Sequence, residues 1–179
     1  NRFGDCKALS NYMGAMLSEV GVPSYPVLVD WNDVSFLPVD ESFTSPAFNH
    51  MILYVPSEDM YLECTSSTSP TGYLGEGKDD RNVLWITPEG GQLARTPKLQ
   101  ASDNGHLRRL NITVQEDGTS GFDLDGRFFG MSQERLRRFA HSEQDITKQQ
   151  ETLNKWEHLP DVGGKFSFSY DLNSPVVNL

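Results

Sequence analysis

A cysteine and a histidine are the side chains of this sequence best suited to nucleophilic chemistry. Cys6 lies in the first turn of a predicted helix, and Asp5 is placed to cap that helix. Unpaired backbone N–H groups at a helix start stabilise a thiolate, which lowers the pKa of a cysteine below its usual value of about 8.5. Cys6 also continues the apolar stripe of the helix, so a packed core thiol is the alternative.

The histidine, His50, belongs to a predicted β-hairpin together with an acid, Glu63. An apolar strand that starts near His50 is followed by turn residues, 56–59, and by a second strand that reaches Glu63. A four-residue turn pairs Val55 with Met60, and His50 then lies diagonal to Glu63 on the same face. A two-residue turn would place His50 directly opposite Glu63. Both registers let the carboxylate orient the imidazole, and a purely structural histidine is the alternative.

A thiol at a helix start, with a histidine and an acid side by side on a sheet, is the set of groups that acyl transfer needs. Cys6 would attack a carbonyl carbon, His50 would move the proton, and Glu63 would hold the imidazole in one tautomer. These steps need no cofactor and no metal. Cys64 has the opposite strand parity to Glu63, which predicts a side chain in the core, and a redox pair with Cys6 is the alternative.

The first helix is predicted from apolar residues at helical spacing and is expected to cover about 6–20. The residues of the stripe are Leu9, Tyr12, Met13, Met16, Leu17 and Val20. Gly21 is a typical helix stop, and Pro23 follows it. A strand at 25–30 and the hairpin come next, so the fold class is α+β.

Composition divides the chain into two domains. Residues 97–105 are polar, which predicts a boundary between a core at 1–98 and a small accessory α+β domain at 99–179. The second domain is expected to hold a hairpin at 107–114 and 122–129, one or two helices within 132–158, and a strand at 166–170.

Charge and composition exclude several other classes of function. Fifteen Lys and Arg against 25 Asp and Glu give a net charge of −10, which disfavours nucleic-acid binding. A membrane-spanning helix needs a run of about 18 apolar residues, and the sequence contains no such run. Two cysteines and scattered histidines do not form a metal-binding pattern.

Three further features are expected to be structural. The basic cluster Arg135, Arg137 and Arg138 predicts a solvated helix face. Residues 72–78 superficially resemble a phosphate loop but lack its Gly and Lys spacing, which favours a mobile surface loop. Trp31 either covers the core or shapes a cleft for an acyl group.

Three motifs in this order resemble the transglutaminase-like superfamily, which has a papain-type fold. The motifs are Gly-Asp-Cys-Lys at 4–7, Phe-Asn-His-Met-Ile-Leu at 48–53 and Tyr-Leu-Glu-Cys-Thr at 61–65. More narrowly, they look like bacterial envelope proteins that carry this domain between flanking β domains, and the resemblance covers about 1–98.

The resemblance implies a triad of Cys6, His50 and Glu63. It also implies transamidation, or hydrolysis of peptide and isopeptide bonds, through a thioester intermediate. The partner would be a peptide or protein substrate, and the location would be the periplasm or cell envelope.

Two departures from the family pattern favour other interpretations. The family typically has Asp where this chain has Glu63. It also places helices and an oxyanion donor before the nucleophile, whereas this sequence begins five residues before Cys6. We therefore expect a fragment of a longer protein, whose upstream part would be a partner of this chain. A catalytically inactive binding or scaffold domain of the bacterial envelope is the alternative function.

Overall fold

The chain forms two compact units, Asn1–Leu99 and Gln100–Leu179. The computed structural model describes residues 3–31, 39, 46–156, 167–171 and 173–178. Within these ranges, three α-helices and two antiparallel sheets make the chain α+β. The division between the units falls one residue after the boundary expected from composition.

The first unit consists of one helix and a five-stranded antiparallel sheet. Its elements are α1 (Cys6–Glu19), β1 (Tyr25–Val29), β2 (His50–Val55), β3 (Met60–Leu62), β4 (Asn82–Thr87) and β5 (Gly90–Arg95). The spatial order of the strands is β3-β2-β1-β4-β5. Strand β2 therefore has a hydrogen-bonded neighbour on each side, and His50 is its first residue.

Helix α1 begins and ends where its sequence predicts. The carboxylate of Asp5 accepts a hydrogen bond from the backbone N–H of Ala8 at 2.9 Å, which caps the helix start. At the other end Gly21 adopts a φ of 75°, and the N–H of Val22 donates to the carbonyl of Leu17 at 2.9 Å. This left-handed glycine and its hydrogen bond stop the helix. The predicted helix and both of its ends are confirmed.

The face that α1 turns to the sheet includes only part of the predicted apolar stripe, of which Leu9, Met13 and Leu17 are half-buried. Ser10 is fully buried and donates to the carbonyl of Met51 at 3.2 Å, and Gly14 lies against Leu53. The stripe residues Tyr12, Met16 and Val20 are exposed. Small side chains at Ser10 and Gly14 let the helix approach the strand closely, and this contact decides the orientation of the helix.

The other face of the sheet carries the core of the unit. Its buried side chains are Val27, Val29, Ile52, Tyr54, Tyr61, Leu74 and Val83. Each fully buried aliphatic side chain contributes about 1.5–3 kcal/mol. His50 pairs with Val29, and because paired residues share a face, His50 lies on this core face.

The second unit packs two helices on a four-stranded sheet. Its elements are β6 (Gly105–Val114), β7 (Ser120–Phe129), α2 (Met131–Ser142), α3 (Ile146–Trp156), β8 (Ser169–Tyr170) and β9 (Val176–Asn178). The strand order is β6-β7-β9-β8, and the core contains Phe128, Leu136, Leu153 and Val177. The predicted hairpin and helices are present, whereas β9 is an additional strand. Residues 157, 158 and 166 of the predicted elements lie outside the described residues.

Arg137 corrects the prediction of a solvated basic face. Its side chain is only 1% exposed, and its guanidinium donates to the carbonyls of Asp171, Ser174 and Val176. A buried guanidinium needs such partners, because an unpaired buried charge is strongly destabilising. Arg138 does follow the prediction, since it is exposed and pairs with Glu134 on its own helix.

Candidate functional site

One end of the first sheet brings together the histidine and the acid that the sequence singled out for catalysis. Strands β2 and β3 pair with Val55 opposite Met60, which confirms the register of the four-residue turn. This antiparallel register brings the start of β2, at His50, beside Glu63, which directly follows β3. The predicted diagonal arrangement of histidine and acid is therefore present.

His50 and Glu63 form a hydrogen bond at this end of the sheet. The distance from His50 Nε2 to Glu63 Oε2 is 2.9 Å, and the two side chains are only 6% and 3% exposed. Burial strengthens the interaction, because little water competes for either group. Since Nε2 is engaged, Nδ1 is the ring nitrogen left to exchange a proton, and it has no hydrogen-bond partner among the residues described.

The carboxylate of Glu63 has other donors besides His50. Thr65 donates to Oε1 through its backbone N–H, at 2.8 Å, and through its hydroxyl. The ammonium of Lys78 lies 3.4 Å from Oε2. Burial by itself would raise the pKa of Glu63, but the hydrogen bonds from His50 and Thr65 outweigh it and lower the pKa to about 2. Glu63 is therefore an anion at neutral pH.

The low pKa of Glu63 predicts a pH dependence of stability. In the unfolded chain Glu63 has the ordinary pKa of 4.5. As the pH falls, its carboxylate is therefore protonated at a higher pH in the unfolded chain than in the folded chain. The ionised carboxylate therefore stabilises the fold above about pH 4.5 by about 3 kcal/mol, and this contribution is lost towards pH 2. Urea unfolding between pH 2 and 7 should show this loss in the native chain and a smaller loss in Glu63→Gln.

The exposed Glu58 supplies the control for that experiment. Glu58→Gln makes the same chemical change without touching His50, so its unfolding should follow the native pH dependence. Equal pH dependence in the native chain and Glu63→Gln would contradict the ionised, hydrogen-bonded Glu63.

Trp31 packs beside the imidazole of His50 and is hydrogen-bonded to Asn49. The ring of Trp31 lies 5.4 Å from the ring of His50, centroid to centroid. Asn49 accepts from the backbone N–H of Trp31 at 2.8 Å and donates to the carboxylate of Asp30 at 3.1 Å. Trp31 is 42% exposed and lies beside both His50 and the ammonium of Lys78, so it forms part of the wall of the site.

Helix α1 directs its first turn to the same end of the sheet. Ser10 contacts β2 at Met51 and Gly14 contacts it at Leu53, so the helix start points towards His50. Four residues of an α-helix rise about 6 Å, which is about the length of two strand residues. Going back one turn from Ser10 therefore brings Cys6 to the level of the residues just before His50.

The structure does not join Cys6 to His50 by a hydrogen bond. The thiol of Cys6 is partly buried, and no hydrogen bond connects it to either ring nitrogen in the described part of the chain. Helix α1 covers the sheet face of Leu53, whereas His50 is on the face of Val29. The two groups thus approach the end of β2 from opposite faces. The spacing of residues along the sequence does not determine which face of the sheet a helix packs against, so it could not predict this separation.

Cys64 is a free, half-buried thiol like Cys6. Burial raises the pKa of the Cys64 thiol, which a hydrogen bond with Ser10 partly offsets. This environment suppresses the thiolate and agrees with the expected packed side chain.

Lys78 lies beside His50 and Glu63, and the sequence did not predict it as a residue of the site. Residues 72–78 were expected to be a surface loop, which is wrong for Tyr73, Leu74 and Lys78, since all three are buried. Leu74 packs into the core, and this contact draws the segment onto the sheet. The apolar pair Tyr73-Leu74 within this Gly-rich stretch is the sequence feature that could have indicated its burial.

Comparison with protein-family models, curated proteins and solved structures finds no match to this chain. Membership of the transglutaminase-like superfamily therefore stays a prediction from three short motifs. In the described part of the chain, no group of three or more His, Cys, Asp or Glu residues could hold a metal ion. None of the helices described there is long and apolar enough to cross a bilayer.

Proposed function

We propose that the first unit is a cysteine-dependent domain for acyl transfer or for hydrolysis of peptide and isopeptide bonds. Cys6 is the nucleophile, His50 the general base and acid, and Glu63 the residue that orients His50. One observation supports this most directly: the buried His50–Glu63 hydrogen bond lies at the sheet end to which α1 directs its first turn. The transglutaminase-like assignment, a peptide or protein substrate and an envelope location are part of the same proposal.

The proposed reaction has two half-reactions. In the first, His50 Nδ1 takes the proton of Cys6, the sulfur attacks the carbonyl carbon, and the C–N bond breaks as the imidazolium protonates the leaving amine. In the second, His50 takes a proton from water or from an acceptor amine, which attacks the thioester. The C–S bond then breaks and the proton returns to the sulfur. Glu63 stabilises the imidazolium in both halves.

The reaction requires a displacement at the start of α1. The Cys6 sulfur must come round the end of β2 to within hydrogen-bond distance of His50 Nδ1. Catalytic hydrogen bonds are often long or poorly aligned before substrate binds. The proposal therefore includes a change of side-chain rotamer and a shift of the first helical turn that bring the two groups together.

The two cysteines provide a direct test of the nucleophile. We expect iodoacetamide at about pH 6 to alkylate Cys6 at least tenfold faster than Cys64, because burial raises the pKa of the Cys64 thiol. Peptide mass spectrometry of the folded chain measures both rates in one sample. The urea-unfolded chain is the control, and there the two rates should converge. Cys6 reacting no faster folded than unfolded would contradict the proposal.

A non-catalytic binding or scaffold domain is the second candidate function. The observation that favours it is the lack of a hydrogen bond between Cys6 and His50 in the described residues. In that case the His50–Glu63 pair has a structural role only. Slow alkylation of Cys6, unchanged by substitution of His50, would support this second function.

A further inference from the structure

Lys78 is held in the site by contacts of its backbone and of its side chain. Its backbone carbonyl accepts a hydrogen bond from the hydroxyl of Thr96 at 2.6 Å, and Thr96 is 2% exposed. Its ammonium lies 4.6 Å from the ring centre of Trp31. Trp31 in turn donates from its indole N–H to the carbonyl of Glu76 at 3.2 Å. These contacts keep the Lys78 ammonium beside Glu63.

Two nitrogen donors, one from an imidazole and one from an ammonium, meet at one carboxylate oxygen. Glu63 Oε2 is 2.9 Å from His50 Nε2 and 3.4 Å from Lys78 Nζ. The side chain of Lys78 is 8% exposed, so solvent screens its charge only weakly. An ion pair of this kind needs further contacts to offset the cost of burial, and the face of Trp31 supplies one.

We propose that Lys78 is a positioning residue that shares Glu63 with His50 and thereby restrains protonation of the imidazole. This inference rests on the proposed function, because a general base must be neutral when it accepts a proton. A carboxylate beside an imidazole favours the imidazolium, and a second cation on the same oxygen opposes it. Lys78 thus keeps His50 able to accept the proton of Cys6 near neutral pH.

Other charged and titratable groups lie on the elements around His50 and stay unchanged in the test. They are Glu63 after β3, Asp30 after β1, Cys6 and Lys7 at the start of α1, and Glu76 in the segment that carries Lys78. A difference between the native chain and a Lys78 variant therefore reports on Lys78.

The test follows the His50 imidazole by NMR as the pH is changed. The sequence has four histidines, and the His50 ring signal is the one missing from His50→Asn. In Lys78→Met, which keeps an unbranched chain over Trp31, the titration midpoint of His50 should move up by about one pH unit. Lys98→Met removes the charge of an exposed lysine that pairs with Asp80, and it should leave the midpoint unchanged.

An unchanged midpoint in folded Lys78→Met, or the same shift in Lys98→Met, would overturn the inference. A second measurement needs no substitution and holds even where Lys78→Met does not fold. The ¹³Cε signal of Lys78 in the native chain should move with the same midpoint as His50. Separate midpoints for the two side chains would also overturn it.

These readouts are independent of the proposed nucleophile. Slow alkylation of Cys6 would overturn the proposed reaction and leave the His50 titration as it is. Normal alkylation of Cys6 with an unshifted His50 midpoint would overturn the role of Lys78 alone.

Discussion

Alanine in place of His50 is expected to slow the alkylation of Cys6 by iodoacetamide at about pH 6 by about 100-fold. An unassisted thiol with a pKa of about 8.5 is about 0.3% thiolate at that pH, whereas a thiolate paired with an imidazolium is mostly ionised. His50 is the imidazole at the sheet end where α1 begins, and Glu63 stabilises its protonated form. Time courses of modified Cys6 in the folded native and variant chains measure the effect.

Two controls make this result specific to His50. His106→Ala removes an exposed histidine of the second unit, so the rate at Cys6 should not change. Alkylation of Cys64 in the same samples should also stay constant, which would show that the fold has not loosened. A Cys6 rate that is equally slow in the native chain and in His50→Ala would remove the basis for a thiol–imidazole pair and leave the scaffold function.

Replacing Arg137 with leucine is expected to lower the unfolding free energy of the second unit by about 3 kcal/mol or more. The guanidinium of Arg137 donates to the carbonyls of Asp171, Ser174 and Val176, which belong to β9 and the segment before it. Leucine fills part of the volume but leaves those buried acceptors without donors. Hydrogen exchange measured by mass spectrometry should show the loss in peptides from 100–179.

The neighbouring Arg138 is the matched control. It is on the same helix, is exposed and pairs with Glu134 at 3.0 Å, so Arg138→Leu should change stability by less than about 0.5 kcal/mol. Peptides from the first unit serve as an internal reference in both variants. Similar exchange in the two arginine variants would contradict the assignment of Arg137 as the residue that holds the terminal strand.

Arg137 and Lys78 show what sequence patterns could not predict. Both are long cations in polar surroundings, which is the pattern of a solvated face or a surface loop. Each is buried because distant segments supply its partners, the terminal segment for Arg137 and Glu63 with Trp31 for Lys78. No periodicity in the sequence encodes a contact between segments that meet only in the folded chain.

The orientation of α1 was also decided by packing. Apolar spacing predicted the helix correctly but assigned Tyr12, Met16 and Val20 to its inner face, and these side chains are exposed. The contact with β2 is made by the small residues Ser10 and Gly14. How closely a helix approaches a strand depends on the shapes of both surfaces, which hydrophobicity alone does not describe.

The sequence by itself determined the features that depend on local geometry. The Asp5 cap and the Gly21 stop set the ends of α1, because they act within one helical turn. The turn length and the two-residue period of a strand placed His50 beside Glu63. Only the tertiary structure decided that Lys78 joins this pair and that Cys6 reaches the same sheet end from the opposite face, because those positions depend on packing between elements.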